Sequence, residues 1–171
     1  MRIRAYTSRA ALCDQHPYWK KLLDAVDKGS GTVRQMLDGS KAIAMGLWCM
    51  DCQHHGRSEL HPVFALAIQD KASLTQADVG STWHFFVRHW GTQNYCGERF
   101  KVTQAHNWKF RFPVPDGKNI KSIKGLNGYS HEEEKNTTYW KVYKSGKDGL
   151  AEIHLQDEDD WLVGTVVLEW E

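Results

Sequence analysis

Residue types that bind metals or transfer protons are concentrated between positions 48 and 63. These sixteen positions read Trp-Cys-Met-Asp-Cys-Gln-His-His-Gly-Arg-Ser-Glu-Leu-His-Pro-Val and include two Cys, three His, one Asp and one Glu. Mixed carboxylate and imidazole ligands suit Zn²⁺, Mn²⁺ or Fe²⁺, and a bound metal with an open position activates water. Without a metal, the same groups act as general acid and base near neutral pH. Both chemistries are open for this segment.

Strand alternation selects four residues from this set. Glu59 and His61 are two positions apart and therefore share one face of a strand. Asp51 approaches them across a hairpin, and His54 arrives from its loop. We predict Asp51, His54 and His61 as metal ligands, with Zn²⁺ or Mn²⁺ as the cofactor. Glu59 is a fourth ligand or, together with His61, the catalytic acid–base pair.

A structural role for the same residues is the alternative. Asp51, Glu59 and His61 could form a buried polar network that fixes the register of the hairpin, because buried polar groups satisfy one another. The Cys49-x-x-Cys52 spacing adds little, since a zinc ribbon needs a second such pair and the chain has none. We expect reduced thiols, with one disulfide or a metal site among Cys13, Cys49, Cys52 and Cys96 as the alternatives.

Two further segments carry chemistry. The run 82–90 is apolar on both faces, which is typical of a central strand, and it contains Arg88. We predict Arg88 as a binding residue that pairs with a carboxylate of the hairpin or holds a substrate phosphate, while an exposed arginine is equally compatible. Glu152 and His154 repeat the Glu-x-His spacing, but we expect them to be independent surface positions.

The middle third of the chain resembles a known pattern. Trp48-x-x-Asp51-x-x-His54, then Glu59-Leu-His61-Pro62-Val63, and then the run from Phe85 to Cys96 are similar to a pattern in a group of uncharacterised bacterial proteins. Asp, His, Glu and His recur there at the positions of the four selected residues, whereas the two cysteines do not. The resemblance implies a common site without naming its reaction.

The elements that must position these residues are mostly strands. The run 16–29 has the apolar spacing of a helix that ends at a glycine, and a short second helix is predicted over 32–37. About seven strands follow, over 42–52, 59–69, 82–90, 107–114, 137–143, 150–155 and 161–170. Pro113 and Pro115 are expected to place the 107–114 strand at a sheet edge or to end it early. The run 116–136 is predicted as a long mobile loop.

Length and composition bound the fold class. The chain has 171 residues, of which 41% are hydrophobic, and this is enough to bury one core. We predict a single domain over 1–171, with a helical segment at about 16–38 and a β-rich body at about 42–171. The fold class is mainly β, an antiparallel sandwich or barrel with an N-terminal helix packed on one side.

Charge and hydropathy restrict the partners. The net charge is +1, which gives no global attraction to nucleic acid or to an anionic membrane. Basic residues concentrate over 99–124 and acidic ones over 150–171, so the basic segment could bind nucleic acid or another phosphate-bearing ligand, or the two segments could neutralise each other. No apolar run reaches the length of a membrane span, and no signal peptide is evident, so we expect a soluble protein.

Two functional hypotheses follow. The first is a metal-dependent hydrolase of a phosphoester or similar polar substrate, with its site at the 51–61 hairpin. The second is a non-catalytic binding or assembly module for a polymer or a protein partner, in which the 51–61 residues form only a polar network.

Overall fold

The computed structural model describes residues 16–51, 57–92, 99–101, 106–130, 139–156 and 160–171. Within these ranges the chain forms two α-helices, one 3₁₀ helix and ten strands. The helices are α1 (Pro17–Lys28), α2 (Ser30–Leu37) and the 3₁₀ helix (Lys71–Gln76). The strands are β1 (Ala42–Asp51), β2 (Arg57–Gln69), β3 (Gly80–Arg88), β4 (Trp90–Thr92), β5 (Arg99–Lys101), β6 (Asn107–Phe112), β7 (Ile120–Ser130), β8 (Tyr139–Ser145), β9 (Asp148–His154) and β10 (Trp161–Trp170).

Two antiparallel sheets dominate the structure. The large sheet has the strand order β1-β2-β3-β10-β7, and the small sheet has the order β6-β9-β8. A separate pair, β4 and β5, completes the described strands. Strands β3 and β10 are apolar on both faces because each lies inside the large sheet with packed layers above and below.

The main core fills the space between the two sheets. Alternate residues of β3 (Trp83, Phe85 and Val87) point into it and meet Phe110 and Phe112 of β6. Five of these side chains show at most 1% exposure. Truncating a fully buried Phe to Ala costs about 3–5 kcal/mol, so each phenylalanine in this interface contributes strongly to stability.

The opposite face of the large sheet is covered by α1. Trp19 and Leu22 of α1 form a second apolar cluster with Leu66, Trp161 and Val163 of the sheet. The Trp19 indole Nε1–H also donates to the Phe85 carbonyl at 3.0 Å. The molecule therefore has three layers: helix, large sheet and small sheet.

The fold class is confirmed as a sandwich, and the barrel alternative is wrong because β1 and β7 remain as separate edges of the large sheet. The helix over 16–29 is confirmed as α1, which ends before Gly29 at φ +109°, a conformation that favours glycine. The second helix begins two residues earlier than predicted, at Ser30.

The predicted loop over 116–136 is wrong over residues 120–130, whereas residues 116–119 do lie outside the helices and strands. Strand β7 occupies Ile120–Ser130 and pairs with β10 along its length. Its alternation is hidden in the sequence because Asn127 (φ +51°) interrupts the register between Leu126 and Tyr129. Residues 131–136 lie outside the described ranges. None of the described helices is both long and apolar enough to cross a membrane.

Two bulges in β2 change which residues share a face. The pairing steps from Met45↔Ala65 to Gly46↔Val63, so Phe64 is an extra residue on β2. Phe64 consequently joins the main core, whereas Val63 packs on the α1 side. In a regular strand Val63 would share a face with Ala65 and Ala67, and the bulge reverses that arrangement.

Candidate functional site at the histidine end

The structure gives the backbone register of the predicted hairpin. Strands β1 and β2 are antiparallel neighbours, with Asp51 opposite Arg57 and Cys49 opposite Glu59. His54 lies outside the described residues, and so do the side chains of Asp51, Glu59 and His61.

The register also sets distances along the hairpin. His61 follows Arg57, the residue opposite Asp51, by four positions, which is roughly 13 Å along a straight strand at about 3.3 Å per residue. Glu59 follows Arg57 by two positions and is therefore the diagonal neighbour of Asp51. The backbone therefore favours Glu59 over His61 as the partner of Asp51, and leaves His61 nearer to the body of the large sheet.

A second bulge lies at His61. The pairing steps from Gly46↔Val63 to Trp48↔Leu60, so His61 and Pro62 together oppose one residue of β1. A proline is tolerated at such a position because its backbone has no N–H to donate to the neighbouring strand. Bulges of this kind redirect side chains and are frequent beside active sites.

Arg88 connects this part of the hairpin to β3. Its Nε and Nη2 groups donate to the Val63 carbonyl at 3.1 and 3.0 Å, just beyond the last β2–β3 pair, Ala65↔Val87. The guanidinium also lies 5.7 Å from the Phe86 ring centre. Burial lowers the pKa of Arg88 to about 10, so the group stays cationic at neutral pH. Arg88 is half-buried, and the exposed alternative is excluded.

Three imidazoles meet where β3 and β9 end and β6 begins, and this group is called the histidine end. His89 and His106 have ring centres 5.1 Å apart, and His106 and His154 have ring centres 6.2 Å apart. His89 is 5% exposed, whereas His154 is half-buried and His106 is exposed. The group thus runs from the core to the surface and joins the two sheets.

Hydrogen bonds fix which nitrogen carries the hydrogen in the neutral form of two of these rings. His106 Nδ1–H donates to the Leu155 carbonyl at 2.9 Å, and a carbonyl can only accept. His154 Nδ1–H donates to Asn107 Oδ1 at 2.9 Å, across the register pair Asn107↔His154. In each neutral ring the lone pair is therefore on Nε2. Histidines that bind metals are held in this way, with the second nitrogen donating to a carbonyl or carboxamide oxygen.

The ring separations can be compared with what one ion requires. Metal–nitrogen bonds of about 2.0–2.1 Å in a tetrahedral site bring two imidazole centres to about 5 Å. The separation of His89 and His106 meets this distance, and that of His106 and His154 exceeds it by about 1 Å. Accordingly, no three His, Cys, Asp or Glu side chains in the described ranges already form a metal-binding group.

Glu152 is engaged elsewhere. Its carboxylate accepts from Lys109 at 2.5 Å, from Lys141 at 3.0 Å and from the Tyr143 hydroxyl at 2.7 Å. These partners lower the pKa of Glu152 to about 2, with Lys109 as the largest cause. Glu152 and His154 therefore serve different neighbours, in keeping with the expectation that they are independent positions.

From the sequence, His154 is expected only as an independent surface position, and no role is predicted for His89, His106 or Asn107. His106 directly precedes β6. The alternation of polar and apolar residues in β6 predicts a strand there, but it does not indicate a role for His106. The pairing of β6 with β9 is what brings it to His154. The histidine end depends on strand pairings between distant segments, which periodicity alone does not give.

No family model, no curated protein and no solved structure matches this chain. The similarity of the middle third to uncharacterised bacterial proteins stays a prediction. The proposed function therefore rests on the chemistry of the site alone.

Proposed function

We propose that the protein binds a divalent transition metal, Zn²⁺ or Mn²⁺, at the histidine end and uses it to hydrolyse a phosphoester or similar polar substrate. The observation that carries the proposal is that His106 and His154 both donate from Nδ1 to oxygen acceptors, so that Nε2 carries the lone pair in each. Imidazole ligands held in this way suit a metal that activates water.

The β1–β2 hairpin carries the ligands that the sequence predicts. In the backbone, His61 is the predicted ligand nearest to the Val63–Arg88 contact. The other predicted ligands, Asp51 and His54, with Glu59 as fourth ligand or general base, would instead form a site at the hairpin tip. The cationic Arg88 would stabilise a phosphate oxygen near the metal.

Metal analysis of protein purified without a His tag tests the proposal. We expect bound Zn²⁺ or Mn²⁺ by elemental analysis and a thermal shift on adding either ion. The double variant His106→Ala/His154→Ala should lower the bound metal, the thermal shift and the rate of hydrolysis of a bis-nitrophenyl phosphate. The single variant His61→Ala should have the same effects. Gln76→Ala/Lys121→Ala, at the other end of the sandwich, is the matched control.

Two outcomes separate the hypotheses. If metal binding is lost in His61→Ala and retained in Asp51→Ala, the ion belongs to the histidine end. Loss of metal in Asp51→Ala with no effect of His106→Ala/His154→Ala would return the site to the hairpin tip. Absence of both bound metal and a metal-dependent thermal shift in the unaltered protein would refute metal binding altogether.

A second candidate function, assembly with another copy of the chain, is favoured by the exposed apolar residues of the hairpin. Trp48 is 70% exposed and lies directly opposite Leu60, which is 40% exposed. Strand β1 pairs with β2 and with no other described strand, and residues 42–50 carry no charge. Uncharged edge strands are prone to pair with a second copy.

Sedimentation measurements test this second function. Trp48→Ser should shift a dimer to monomer, while Val79→Ser, at a residue 60% exposed elsewhere, should leave the dimer intact. Monomeric behaviour of the unaltered protein at every accessible concentration would eliminate assembly through β1.

A further inference from the structure

A chain of hydrogen bonds runs beneath the start of α1. Asp70 Oδ2 lies 3.1 Å from His84 Nε2, and His84 Nδ1 lies 3.0 Å from Thr165 Oγ1. The same hydroxyl lies 3.0 Å from His16 Nε2, at the residue that precedes α1. Three of the four residues, His16, His84 and Thr165, are at most 9% exposed. The chain thus connects the turn before the 3₁₀ helix, β3, β10 and the helix.

The carboxylate sets the direction of every proton in this chain. Asp70 can only accept, so His84 Nε2–H donates to it and His84 Nδ1 carries the lone pair. The Thr165 O–H then donates to His84 Nδ1, and the Thr165 oxygen accepts from His16 Nε2–H. All three bonds are satisfied when both imidazoles are neutral.

Protonation of both rings cannot be accommodated. Two imidazolium groups would direct two N–H donors at the Thr165 hydroxyl, whose own proton would then lose the acceptor that His84 Nδ1 provides among the described residues. The ring centres of His16 and His84 are 5.5 Å apart, so the two charges would also repel each other. Asp70 can compensate the charge of His84 but is separated from His16 by the threonine.

Three groups from the described part of the chain contact these rings from the elements packed against them: Tyr18, Asp70 and Thr165. Tyr18 of α1 stacks on His84 with ring centres 3.9 Å apart and planes at 17°. Asp70 approaches His84 from the turn, and Thr165 approaches both rings from β10. Burial, with a smaller contribution from Asp70, raises the pKa of Tyr18 to about 12, so this ring stays neutral in the acid range.

We propose that this chain is a pH-sensitive switch, which holds α1 on the large sheet while both imidazoles are neutral and releases it when both are protonated. His16 and Tyr18 join α1 to the switch directly. Release would uncover the apolar sheet face that Trp19 and Leu22 occupy. The switch is separate from the histidine end and does not depend on the proposed metal site.

The expected pH range follows from the burial of the two rings. Burial, and then the neighbouring His84, lowers the pKa of His16 from 6.5 to about 4. Burial also lowers the pKa of His84, although Asp70 opposes the shift. Because both values are depressed in the attached state, the stabilisation is complete above pH 6.5 and is lost as the pH falls toward 4. Opening of α1 should increase by up to about tenfold per pH unit for each histidine.

Hydrogen exchange of the α1 amides between neutral pH and pH 4, corrected for intrinsic exchange, tests the switch. We expect α1 to lose protection before β3 and β10 do. His16→Asn/His84→Gln keeps neutral hydrogen-bonding groups that do not titrate, so its α1 protection should be independent of pH. Lys20→Ala/Asp24→Ala, on the exposed side of α1, should open at the same pH as the unaltered protein.

The proposal fails if α1 and the sheet lose protection together, or if the double histidine variant opens like the unaltered protein. Proton NMR titration of the unaltered protein gives a result that needs no variant. Titration of His16 and His84 near 6.5, with α1 protection unchanged, would equally overturn the switch.

Discussion

Histidine takes two opposite roles in this protein, and the neighbours of each ring decide which. His16 and His84 are buried between hydrogen-bonding partners that require them to be neutral. His106 and His154 lie near the surface, with Nδ1 committed to an oxygen acceptor. Burial next to Thr165 disfavours protonation of His16 and His84, whereas the hydrogen bonds of His106 and His154 leave the lone pair of each neutral ring on Nε2.

The Glu152 carboxylate should contribute measurably to stability through its two lysines. Glu152→Gln would leave Lys109 and Lys141 facing each other across β9 without a neutralising charge. We expect a lower melting temperature and a reversed salt dependence, since salt screens attraction in the unaltered protein and repulsion in the variant. Thermal unfolding at low and high ionic strength measures both.

Asp148→Asn is the matched control, because Asp148 is on the same strand and, among the described residues, forms an ion pair only with Arg111, at 3.4 Å. Asp148→Asn should lower the melting temperature less than Glu152→Gln does. The pKa of Glu152 is depressed from 4.5 to about 2, so its contribution is present above pH 4.5 and is lost as the pH falls toward 2. Equal salt dependence in Glu152→Gln and the unaltered protein would contradict this account.

At the scale of elements, Trp140 of β8 attaches the small sheet to three glycines of the large one. A Cβ at Gly125 would lie 2.5 Å from the Trp140 ring, and one at Gly164 would lie 2.7 Å from Phe85 Cζ and 3.4 Å from Trp140. The third glycine, Gly128, leaves no room for a Cβ beside the indole nitrogen. The absence of side chains here allows the close approach of the two sheets.

Gly164→Ala should therefore destabilise the protein by about 1–3 kcal/mol, the usual cost of inserting a methyl group into a packed core. Gly31→Ala provides the contrast, because Gly31 is inside α2 with open space around it. That substitution should be neutral or stabilising by up to about 1 kcal/mol. Urea unfolding of both variants gives the comparison, and similar stabilities would show that the sheets can separate at no cost.

The elements that the sequence predicts best are those whose pattern is uninterrupted. Strand β10 has the predicted bounds, and α1 follows its apolar spacing and ends before Gly29. Prediction fails at β7 and within β2, where a residue in the left-handed conformation or a bulge shifts the alternation. A bulge is defined by two residues of one strand lying opposite one residue of its partner, so the sequence of one strand alone does not reveal it.

At the scale of the whole molecule, the charge asymmetry of the sequence is largely internal. The basic 99–124 segment meets the acidic end of the chain through Lys109–Glu152 and the hydrogen bond from Ser122 to Glu169. These contacts between the two segments therefore explain part of the concentration of basic residues over 99–124, which is also compatible with phosphate binding. The sequence shows the two charged segments but not that β6 and β7 lie beside β9 and β10.

The position of β10 also bears on how the protein is made. β10 separates β3 from β7 in the large sheet and is the last of the described strands along the chain. β3 and β7 therefore cannot take their final places until residues 161–170 have left the ribosome. Until then, the edge of β3 that pairs with β10 and the apolar residues of the main core are open to chaperones, so the large sheet is completed only after residues 161–170 have been synthesised.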